Sequence, residues 1–420
     1  MGKFRFLNVS INHNIYSVQR HYYPIPLITQ QHIAIVGAGF AGLASATLLA
    51  RAGHLVTVFE KFAAPQAVGA GILIQPTGLA AMRTLGIYDD ILAHGARVNN
   101  LCGVSHTGRQ VLDIQYERWQ TGSFGVGLHR GALFNALWKS ASEAGVKIVT
   151  GQEMTQLDAL QGYDLRVIAD GANSQLRAQL RTTVGLKFKD KLYPWGAVWA
   201  VLPDPDQQYG STLWQWCRQA KQMLGIMPTG FAPNSQTPVV SLFWSLRADR
   251  FDDWRKAGLQ AWKDSVLALN PACAELLANI TSIDQLTWAR YHDIVMPRYH
   301  TDSEVVIGDA AHATSPQLGQ GTNLALLDAV ALAESLANSE SIPAALAAYT
   351  QARKGHLHFY SQASRLLTPL FQSDLTVLPW FRDRLMATSS TWPMLKSLNL
   401  QTLVGVRKSW LGGELKLNSQ

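Results

Sequence analysis

The sequence predicts an α/β protein whose parallel-sheet core is interrupted by a β-rich insertion and followed by a helical C-terminal region. A short apolar strand, a glycine turn and a helix follow one another three times, in residues 33–60, 163–180 and 304–338. Between the second and third copies, residues 182–250 alternate short β-rich pieces with turn residues and contain five tryptophans. From residue 341 onward the chain is mostly helical, with breaks expected at Pro369, Pro379 and Pro393.

The first unit contains a long uncharged run, Ile33 to Ala50, which could be a membrane span or a nucleotide-binding turn. A spanning helix needs about 20 consecutive apolar residues. Gly37, Gly39 and Gly42 interrupt the run near its start, so it reads as a strand, a tight turn and a helix. We therefore expect this segment to bind a nucleotide.

The spacing of these glycines matches a dinucleotide fingerprint. Gly37 allows the turn, Gly39 lets the backbone approach a pyrophosphate, and Gly42 lets helix and strand pack closely. The helix N-terminus offers free N–H groups to the phosphates. Glu60 ends the next strand, where its carboxylate can accept hydrogen bonds from a ribose 2′-OH. Because this carboxylate would repel a 2′-phosphate, the site suits FAD or NAD better than NADP.

Two segments follow before the second unit. Val68 to Gly86 reads as a loop with a helix after Pro76. Residues 126–149 contain a helix whose apolar face is formed by Leu133, Leu137 and Trp138, and a strand begins at Val146. These segments predict further α/β elements of the same core.

The third unit carries the most informative polar residue of the core. Val305 to Gly308 reads as a buried strand, and Asp309 follows it at the edge where open α/β sheets place their ligands. Pro316 and the residues from Gly319 to Gly321 form a loop with little side-chain bulk, and a helix starts near Thr322. A flat ring can lie against such a loop, and the positive helix end stabilises negative charge on it. Asp309 could instead be a strand-end cap, and we assign no chemistry to His312.

Composition limits the function classes. A chain of 420 residues is expected to form one large domain or two intimate ones, and its apolar fraction of 47% is ordinary for a soluble enzyme. The net charge of +7 comes without runs of Lys or Arg, which argues against nucleic-acid binding. Three separated cysteines form no metal-ligand pattern and suit a reducing compartment, so we expect a cytoplasmic protein without a metal site.

Residues 1–31 stand apart from the fold, which begins at His32. They contain Lys3, Arg5 and Arg20, no acidic residue and no clear apolar segment of the kind that secretory signals carry. We expect a disordered tail or an extension from an early start codon; a targeting arm is the alternative.

Together these motifs resemble the class A flavoprotein monooxygenases, the family of para-hydroxybenzoate, salicylate and ubiquinone-pathway hydroxylases. Besides the dinucleotide fingerprint, residues 170–177, DGANSQLR, match the family pattern Asp-Gly-x-x-Ser-x-x-Arg. Gly308 and Asp309, with Pro316 and the glycine loop, match the third family motif. Arg130 matches a family arginine that contacts FAD, and the residues from Gly69 to Gly71 match a loop near the flavin. The resemblance covers roughly residues 32–370.

The resemblance implies a Rossmann-like FAD-binding domain with an inserted mixed or antiparallel β-sheet substrate domain. The implied segments are 32–181 and 291–365 for the FAD-binding domain, 182–290 for the β-rich substrate domain and 366–420 for the C-terminal helical segment. The residues implied to bind FAD are Gly37, Gly39, Gly42, Glu60, Lys61, Gly71, Arg130, Asp170, Asp309, Gly319, Gly321 and Thr322.

The family chemistry implies two co-substrates. NADH or NADPH reduces the FAD, O₂ adds at flavin C4a, and the hydroperoxide delivers one oxygen atom to an aromatic or polyketide-like small molecule by hydroxylation or epoxidation. In this family NAD(P)H binds transiently without its own Rossmann domain, and the protein contributes orientation and exclusion of water. The segment 170–177 is linked in the family to both FAD support and NAD(P)H binding, although Ser174 could simply cap a helix and Arg177 form an ordinary ion pair.

Other functions remain open at this point. Trp214-Gln215-Trp216 is similar to part of the Trp-x-Trp-x-Ile-Pro motif of flavin-dependent halogenases, but Cys217 and Arg218 follow it. An oxygen-independent flavin oxidoreductase and a flavin-binding protein without turnover are further alternatives. For the leading hypothesis, the candidate pocket residues are Trp195, Trp214, Trp216, Phe243 and Pro316. Because side chains alternate between the two faces of a strand, only about half of the aromatic residues in the sheet can face the pocket.

The C-terminal residues 366–420 mix apolar with basic residues, but no run is long enough to span a bilayer. This apolar surface could pack on the substrate domain as a lid, form a homodimer contact, or lie on a membrane as a peripheral contact. The proline breaks favour helices that fold back onto the protein's own body.

Overall fold

The computed structural model describes residues 28–65, 71–389, 393–415 and 417, with the backbone alone for 385–389 and 393–395. Most of the predicted leader and Gly69 therefore lie outside the described residues. The strands of this part are β1 (His32–Val36), β2 (Leu55–Glu60), β3 (Gly71–Ile74), β4 (Ala96–Val98), β5 (Asn100–Ser105), β6 (Gln110–Gln115), β7 (Gly125–His129), β8 (Lys147–Thr150), β9 (Leu165–Ile168), β10 (Lys189–Pro203), β11 (Thr212–Arg218), β12 (Gln222–Phe231), β13 (Pro238–Arg247), β14 (Thr287–Val295) and β15 (Glu304–Val306).

The α-helices of the same part alternate with these strands and then dominate the C-terminal third. They are α1 (Phe40–Arg51), α2 (Pro76–Thr84), α3 (Tyr88–His94), α4 (Arg130–Glu143), α5 (Gln175–Val184), α6 (Phe251–Leu267), α7 (Ala274–Ala278), α8 (Asp309–His312), α9 (Gly321–Ala337), α10 (Ile342–Phe371), α11 (Val377–Ser389) and α12 (Pro393–Val404).

A parallel five-stranded sheet forms the core, in the order β15-β9-β1-β2-β8. Ile35 of the central strand pairs with Val58 on one side and Val167 on the other. Four of the five β1 residues are buried, because strands covered on both faces read as continuous apolar runs. Helix α1 packs against both α4 and α9 and contacts β1 and β2 of this sheet. The predicted α/β class with a Rossmann-like domain is confirmed.

A seven-stranded sheet forms the second body, in the order β14-β10-β13-β12-β11-β5-β6. It is mixed, because β11 runs parallel to β5 while the other neighbours are antiparallel. Its strands extend beyond the segment 182–290 that was predicted for the substrate domain. Strands β5 and β6 come from residues 100–115, and β14 continues to Val295. A parallel pairing between strands more than 100 residues apart leaves no local sequence signal.

A small three-stranded sheet, β3-β7-β4, packs against β12 of the seven-stranded sheet. A Cβ atom added to Gly127 of β7 would lie 1.8 Å from the carbonyl oxygen of Pro228 in β12, so the two backbones meet directly there. The loop predicted from Val68 was wrong for residues 71–74, which form β3, because the pairing with β7 overrides the glycine-rich local sequence.

Helix α10 extends over 30 residues and contains Pro369 in its interior. The break predicted at Pro369 was therefore wrong. The helix ends two residues later, so the missing N–H of proline removes a single hydrogen bond, and only from the last turn. Pro379 and Pro393 instead lie in the first turns of α11 and α12. No helix within the described ranges is long and apolar enough to cross a bilayer.

The end of α12 is fastened to the core through its backbone. The carbonyl oxygens of residues 402–405, here called the C-terminal latch, each accept a hydrogen bond from a buried side chain of the core. The pairs are Tyr360 Oη with Thr402 (3.0 Å), Gln320 Nε2 with Leu403 (2.5 Å), Thr77 Oγ1 with Val404 (3.1 Å) and His356 Nε2 with Gly405 (2.8 Å). This part of the C-terminal region thus packs on the protein's own body.

Candidate functional site

The turn between β1 and α1 has the shape that the glycine fingerprint predicts. Gly37 adopts φ +103°, and a Cβ atom there would lie 2.4 Å from the carbonyl oxygen of Ala169. A Cβ atom on Gly42 would lie 2.0 Å from the carbonyl oxygen of Gly37, so both positions require glycine. A Cβ atom on Gly39 would meet nothing within 4 Å. The turn therefore has close packing behind it and open space in front of Gly39, at the N-terminus of α1.

Glu60 is buried directly beside this turn. Its Oε2 accepts a hydrogen bond from the N–H of Ala38 at 2.9 Å, and its Oε1 accepts one from the N–H of Phe62 at 3.0 Å. Each carboxylate oxygen can accept a further bond, so the group could still receive a ribose hydroxyl. Lys61 is exposed, and its ammonium lies 4.9 Å from the ring of Phe62.

Asp309 is exposed at the carboxyl end of β15, in the position predicted for a ligand-binding acid. Its Oδ1 lies 4.0 Å from the point that a Cβ atom on Gly321 would occupy. Across the cleft, the guanidinium of Arg130 lies 5.1 Å from the ring centroid of Phe40 on α1. Burial lowers the pKa of Arg130, and the charge of Asp309 partly offsets this effect. The fingerprint turn, Arg130, Asp309 and the glycine loop therefore surround one cleft.

The glycine loop after Asp309 is held by an asparagine that the sequence analysis missed. Asn323 is fully buried; its Oδ1 accepts a bond from the N–H of Gln75, and its Nδ2 donates to the carbonyl oxygen of Gly319 at 2.9 Å. Gly319 adopts φ +61°, and Pro316 is exposed on the same loop. The backbone of the loop is thus tied to β3, which leaves its outer side open to a flat ring.

The DGANSQLR segment contacts residues that border the cleft. Asp170 lies beside Gly37, and burial raises its pKa, with Ser174 and Arg177 opposing this shift. Ser174 caps α5 by accepting a bond from the N–H of Arg177. Arg177 donates to the carbonyl oxygen of Ala310 at 2.7 Å, directly after Asp309, and pairs with Asp190 at 2.8 Å. These contacts give Ser174 and Arg177 structural tasks next to the site.

A buried ionic cluster lies beneath Asp309. Asp328 Oδ1 pairs with Arg353 Nε at 2.7 Å, while its Oδ2 contacts His312 Nε2 at 2.5 Å and accepts a bond from the N–H of Gly308. Burial alone would raise the pKa of Asp328, but His312 and Arg353 hold it below its usual value. His312 thus has a structural contact within this cluster. A single Asp within the apolar run NLALLDAVALA is the signal that could have revealed this cluster.

His356 connects the cluster to the C-terminal latch. It lies 2.9 Å from a guanidinium nitrogen of Arg353 through Nδ1 and donates from Nε2 to the carbonyl oxygen of Gly405. Burial, followed by the positive charge of Arg353, lowers the pKa of His356 to about 3. A neutral imidazole at this position can accept from Arg353 on one side and donate to the latch on the other.

Strand register divides the aromatic candidates between the two faces of the seven-stranded sheet. Phe243 pairs with Trp199, their ring centroids are 5.1 Å apart, and alternation places Trp195 on the same face. Ser241, two residues from Phe243, accepts a bond from the N–H of Gly71 at 2.7 Å. This face, here called the inner face, is turned toward the small sheet and the cleft.

Trp214 and Trp216 lie on the opposite, outer face. They pair with Ile226 and Leu224, which belong to the apolar cluster under α6, and Trp216 packs against that cluster. The two indoles stack on each other, with ring centroids 5.9 Å apart. The structure therefore separates this pair from the inner face. The local sequence does not reveal the difference, because the cross-strand partner decides which face a residue occupies.

The fold and the cleft have the features of a flavoprotein. The open space before Gly39 leaves room for a pyrophosphate, and the Nε of Arg130 is buried without a hydrogen-bond partner in the described ranges. A family model described as an FAD binding domain matches residues 30–162 and 164–362. The chain belongs to this family and is a class A FAD-dependent monooxygenase, an oxidoreductase that binds FAD.

Several proteins of this family are similar to the chain over most of their length. A putative 2-heptyl-3-hydroxy-4(1H)-quinolone synthase of Rhodococcus erythropolis is 29% identical over 338 residues, which cover 75% of this chain and 82% of the relative. The aurachin C monooxygenase/isomerase of Stigmatella aurantiaca is 27% identical over 386 residues, covering 86% and 94%. Klebsiella pneumoniae HpxO, solved with FAD and uric acid, shares the fold with a TM-score of 0.73 at 20% identity, covering 91% and 98%.

Proposed function

We propose that this protein is a single-component monooxygenase that uses NADH or NADPH and O₂ to hydroxylate or epoxidise an aromatic or polyketide-like small molecule. The observation that carries the proposal is the meeting of the FAD cleft with an aromatic sheet face. Phe243 and Trp199 lie on the inner face, and the bond between Gly71 and Ser241 joins that face to β3. An apolar wall with few polar groups is the usual form of a small-molecule site.

In this proposal, the flavin occupies the cleft that Arg130, Asp309, the fingerprint turn and the glycine loop surround. The N-terminus of α1 receives the pyrophosphate at Gly39, Glu60 receives the ribose, and Arg130 and Asp309 hold the remainder of the cofactor from opposite sides. Gly37, Gly42 and Asp170 support the turn, Lys61 and Gly71 border the cleft, and the loop of Pro316, Gly319, Gly321 and Thr322 supports the ring. The bound flavin supplies hydride acceptance and O₂ activation, and the protein orients the substrate and excludes water.

The names of the relatives favour a ring-containing substrate. One of them is named for a quinolone, and one neighbour of similar fold holds uric acid. The quinolone and uric acid each contain a planar ring system. A planar ring can stack on Phe243 or Trp199, where offset aromatic pairs contribute about 0.5–1.5 kcal/mol each beyond burial of area.

A screen for substrate-stimulated NADH and NADPH oxidation, followed by mass spectrometry under ¹⁸O₂, tests the proposal. The expected result is a product that gains one ¹⁸O atom, with peroxide formed when substrate is absent. Chloride-dependent product would instead indicate a halogenase. NAD(P)H oxidation that does not consume O₂ would indicate an oxygen-independent reductase, and no turnover with any tested ring would indicate a flavin-binding protein without activity.

We expect Glu60→Ala and Asp309→Ala each to weaken FAD retention. Each substitution removes hydrogen bonds to a charged acceptor, worth about 1.5–3 kcal/mol, which corresponds to roughly tenfold or more in the dissociation constant. Equilibrium titration of the apoprotein with FAD measures the effect. Asp302→Ala, which removes another exposed acid seven residues before Asp309, is the control and should bind as the wild type does. Unchanged affinity in both site variants would refute the placement.

The two sheet faces predict opposite kinetic effects. Phe243→Ala should raise the KM for the ring substrate by about tenfold, because it removes a buried aromatic contact from the inner face. Trp216→Ala should leave that KM within about twofold while lowering the unfolding midpoint, because Trp216 packs under α6. Steady-state kinetics and thermal unfolding of both variants provide the comparison. The reverse pattern would place the pocket on the outer face.

A further inference from the structure

Large exposed apolar side chains are concentrated near the C-terminus. Of the twelve that the described ranges present, seven lie between residues 366 and 411, a small part of the chain, so their distribution is not that of scattered surface residues. They are Leu366, Leu375, Val377, Trp380, Phe381, Trp410 and Leu411.

Helix α11 exposes its apolar face and buries an arginine on the other side, which is the reverse of an ordinary surface helix. Val377, Trp380 and Phe381 follow the i, i+3, i+4 spacing of one helix face and are each 44–62% exposed. The buried side instead carries Arg382, 1% exposed, whose guanidinium donates to the carbonyl oxygen of Leu370 at 2.9 Å. The apolar stripe therefore faces outward because the opposite side of the helix is committed to the core. It ends at Arg384, whose guanidinium lies 4.2 Å from the ring centroid of Trp380.

The remaining exposed residues lie on α10, just after it, and on the turn that follows α12. Trp410 and the fully exposed Leu411 form the tip of the turn between Arg407 and Glu414. Trp410 Nε1 donates to Gln362 on α10 at 2.7 Å. Leu366 lies one helical turn beyond Gln362, and Leu370, which binds Arg382, lies one turn further. The turn therefore lies beside α10, and α11 is joined to the end of α10 at Leu370. The seven exposed residues named above are together called the C-terminal apolar surface.

We infer that this C-terminal apolar surface docks onto the face of an anionic lipid bilayer without crossing it. Residues 366–420 contain six basic residues against three acidic ones, and five against two remain when the buried pair of Arg382 with Asp383 is left out. Because the whole chain also carries +7, a negatively charged partner is favoured over a second copy of the same surface. Tryptophan and phenylalanine beside arginine are typical of the interfacial region of a bilayer.

The opposite side of the same segment reaches the substrate domain. Phe371, at the end of α10, packs with Met223 and Cys217, and the inner-face residue Phe243 packs against this group. The docking surface and the wall of the proposed substrate site are therefore two sides of one segment. An apolar substrate that partitions into lipid would then approach the substrate domain from the bilayer, a consequence that rests on the proposed function, whereas the docking itself does not.

Vesicle flotation of the full-length holoenzyme tests the inference. We expect binding to vesicles of equal parts phosphatidylcholine and phosphatidylglycerol, weaker binding to phosphatidylcholine alone, and loss of binding as salt rises. Trp380→Ser and Leu411→Ser should each weaken binding by about tenfold, because each removes an inserted apolar side chain. Leu55→Ser and Val184→Ser, which remove exposed apolar residues outside this surface, are matched controls and should bind as the wild type does.

Two results would overturn the inference. One is a wild-type protein that does not float with anionic vesicles at low salt. The other is a wild-type dimer in sedimentation equilibrium that Trp380→Ser converts to monomers, because a second copy would then cover the surface. Flavin content and NADH oxidation in solution are measured on each variant to verify its folding. Because flotation requires no turnover, its failure is distinguishable from failure of the proposed reaction.

Discussion

Replacing Asp328 with alanine should lower the free energy of unfolding by about 3–5 kcal/mol, a large share of the total stability of a domain. The substitution leaves the guanidinium of Arg353, 3% exposed, without its carboxylate partner, and it also removes the acceptor for the Gly308 N–H. Gly308 precedes Asp309, so we expect flavin retention to fall with stability. Urea denaturation of the variant and the wild type, followed by absorbance and by circular dichroism, measures both effects.

The control for this experiment is an exposed ion pair in the same chain. Arg255 and Asp284 pair across the surface with side chains that are 51% and 70% exposed. Asp284→Ala should therefore cost no more than about 1 kcal/mol. Replacing Asp328 and Arg353 together with apolar residues should recover part of the loss, because the guanidinium is then no longer buried without a carboxylate partner. An Asp328→Ala protein as stable as the Asp284→Ala protein would show that the cluster does not stabilise the site.

Ending the chain after Gln401 should abolish the folded holoenzyme. The truncation removes the C-terminal latch and leaves the side chains of Thr77, Gln320 and His356 without their carbonyl acceptors, at about 1–3 kcal/mol for each buried group. Tyr360 Oη keeps only its longer bond, to the carbonyl oxygen of Gln401 at 3.4 Å. It also removes the apolar residues Leu403, Val404 and Val406 from a buried cluster. Expression yield, flavin-to-protein ratio and thermal unfolding report the loss.

A longer chain, which ends after Leu415, keeps the latch and provides the matched control. It should remain soluble and yellow, because every latch contact is retained. Yellow, cooperatively unfolding protein from the shorter chain would contradict the assignment of the latch as part of the core.

The local motifs of the cofactor cleft could be predicted because short-range physics determines them. Gly37 requires a positive φ, and Gly42 allows helix and strand to approach; both requirements are visible in the order of residues alone. Asp309 could be placed because it directly follows an apolar strand at a known edge of the sheet. These predictions depend on contacts between residues close in sequence or on a fixed strand–turn–helix geometry.

The substrate side could be predicted only in part, because it depends on long-range pairing. Phe243 and Trp216 lie on opposite faces of the sheet because of the way their strands pair with β12. A shift of one residue in the register of a strand would move its side chains to the other face. The pairing of Asp328 with Arg353 joins two helices. Pro369 shows the opposite case, in which a strong local signal was overridden because the helix was about to end.

The most direct test of the flavin cleft compares FAD binding by Gly39→Ala and Gly162→Ala. A Cβ atom at either position meets nothing within 4 Å, so both variants should fold. Only Gly39 faces the space assigned to the pyrophosphate, and overpacking there should cost about 1–3 kcal/mol, which is about tenfold or more in the FAD dissociation constant. We therefore predict weakened FAD binding in Gly39→Ala and wild-type binding in Gly162→Ala. A folded Gly39→Ala protein that binds FAD as tightly as the wild type would contradict the location of the cofactor.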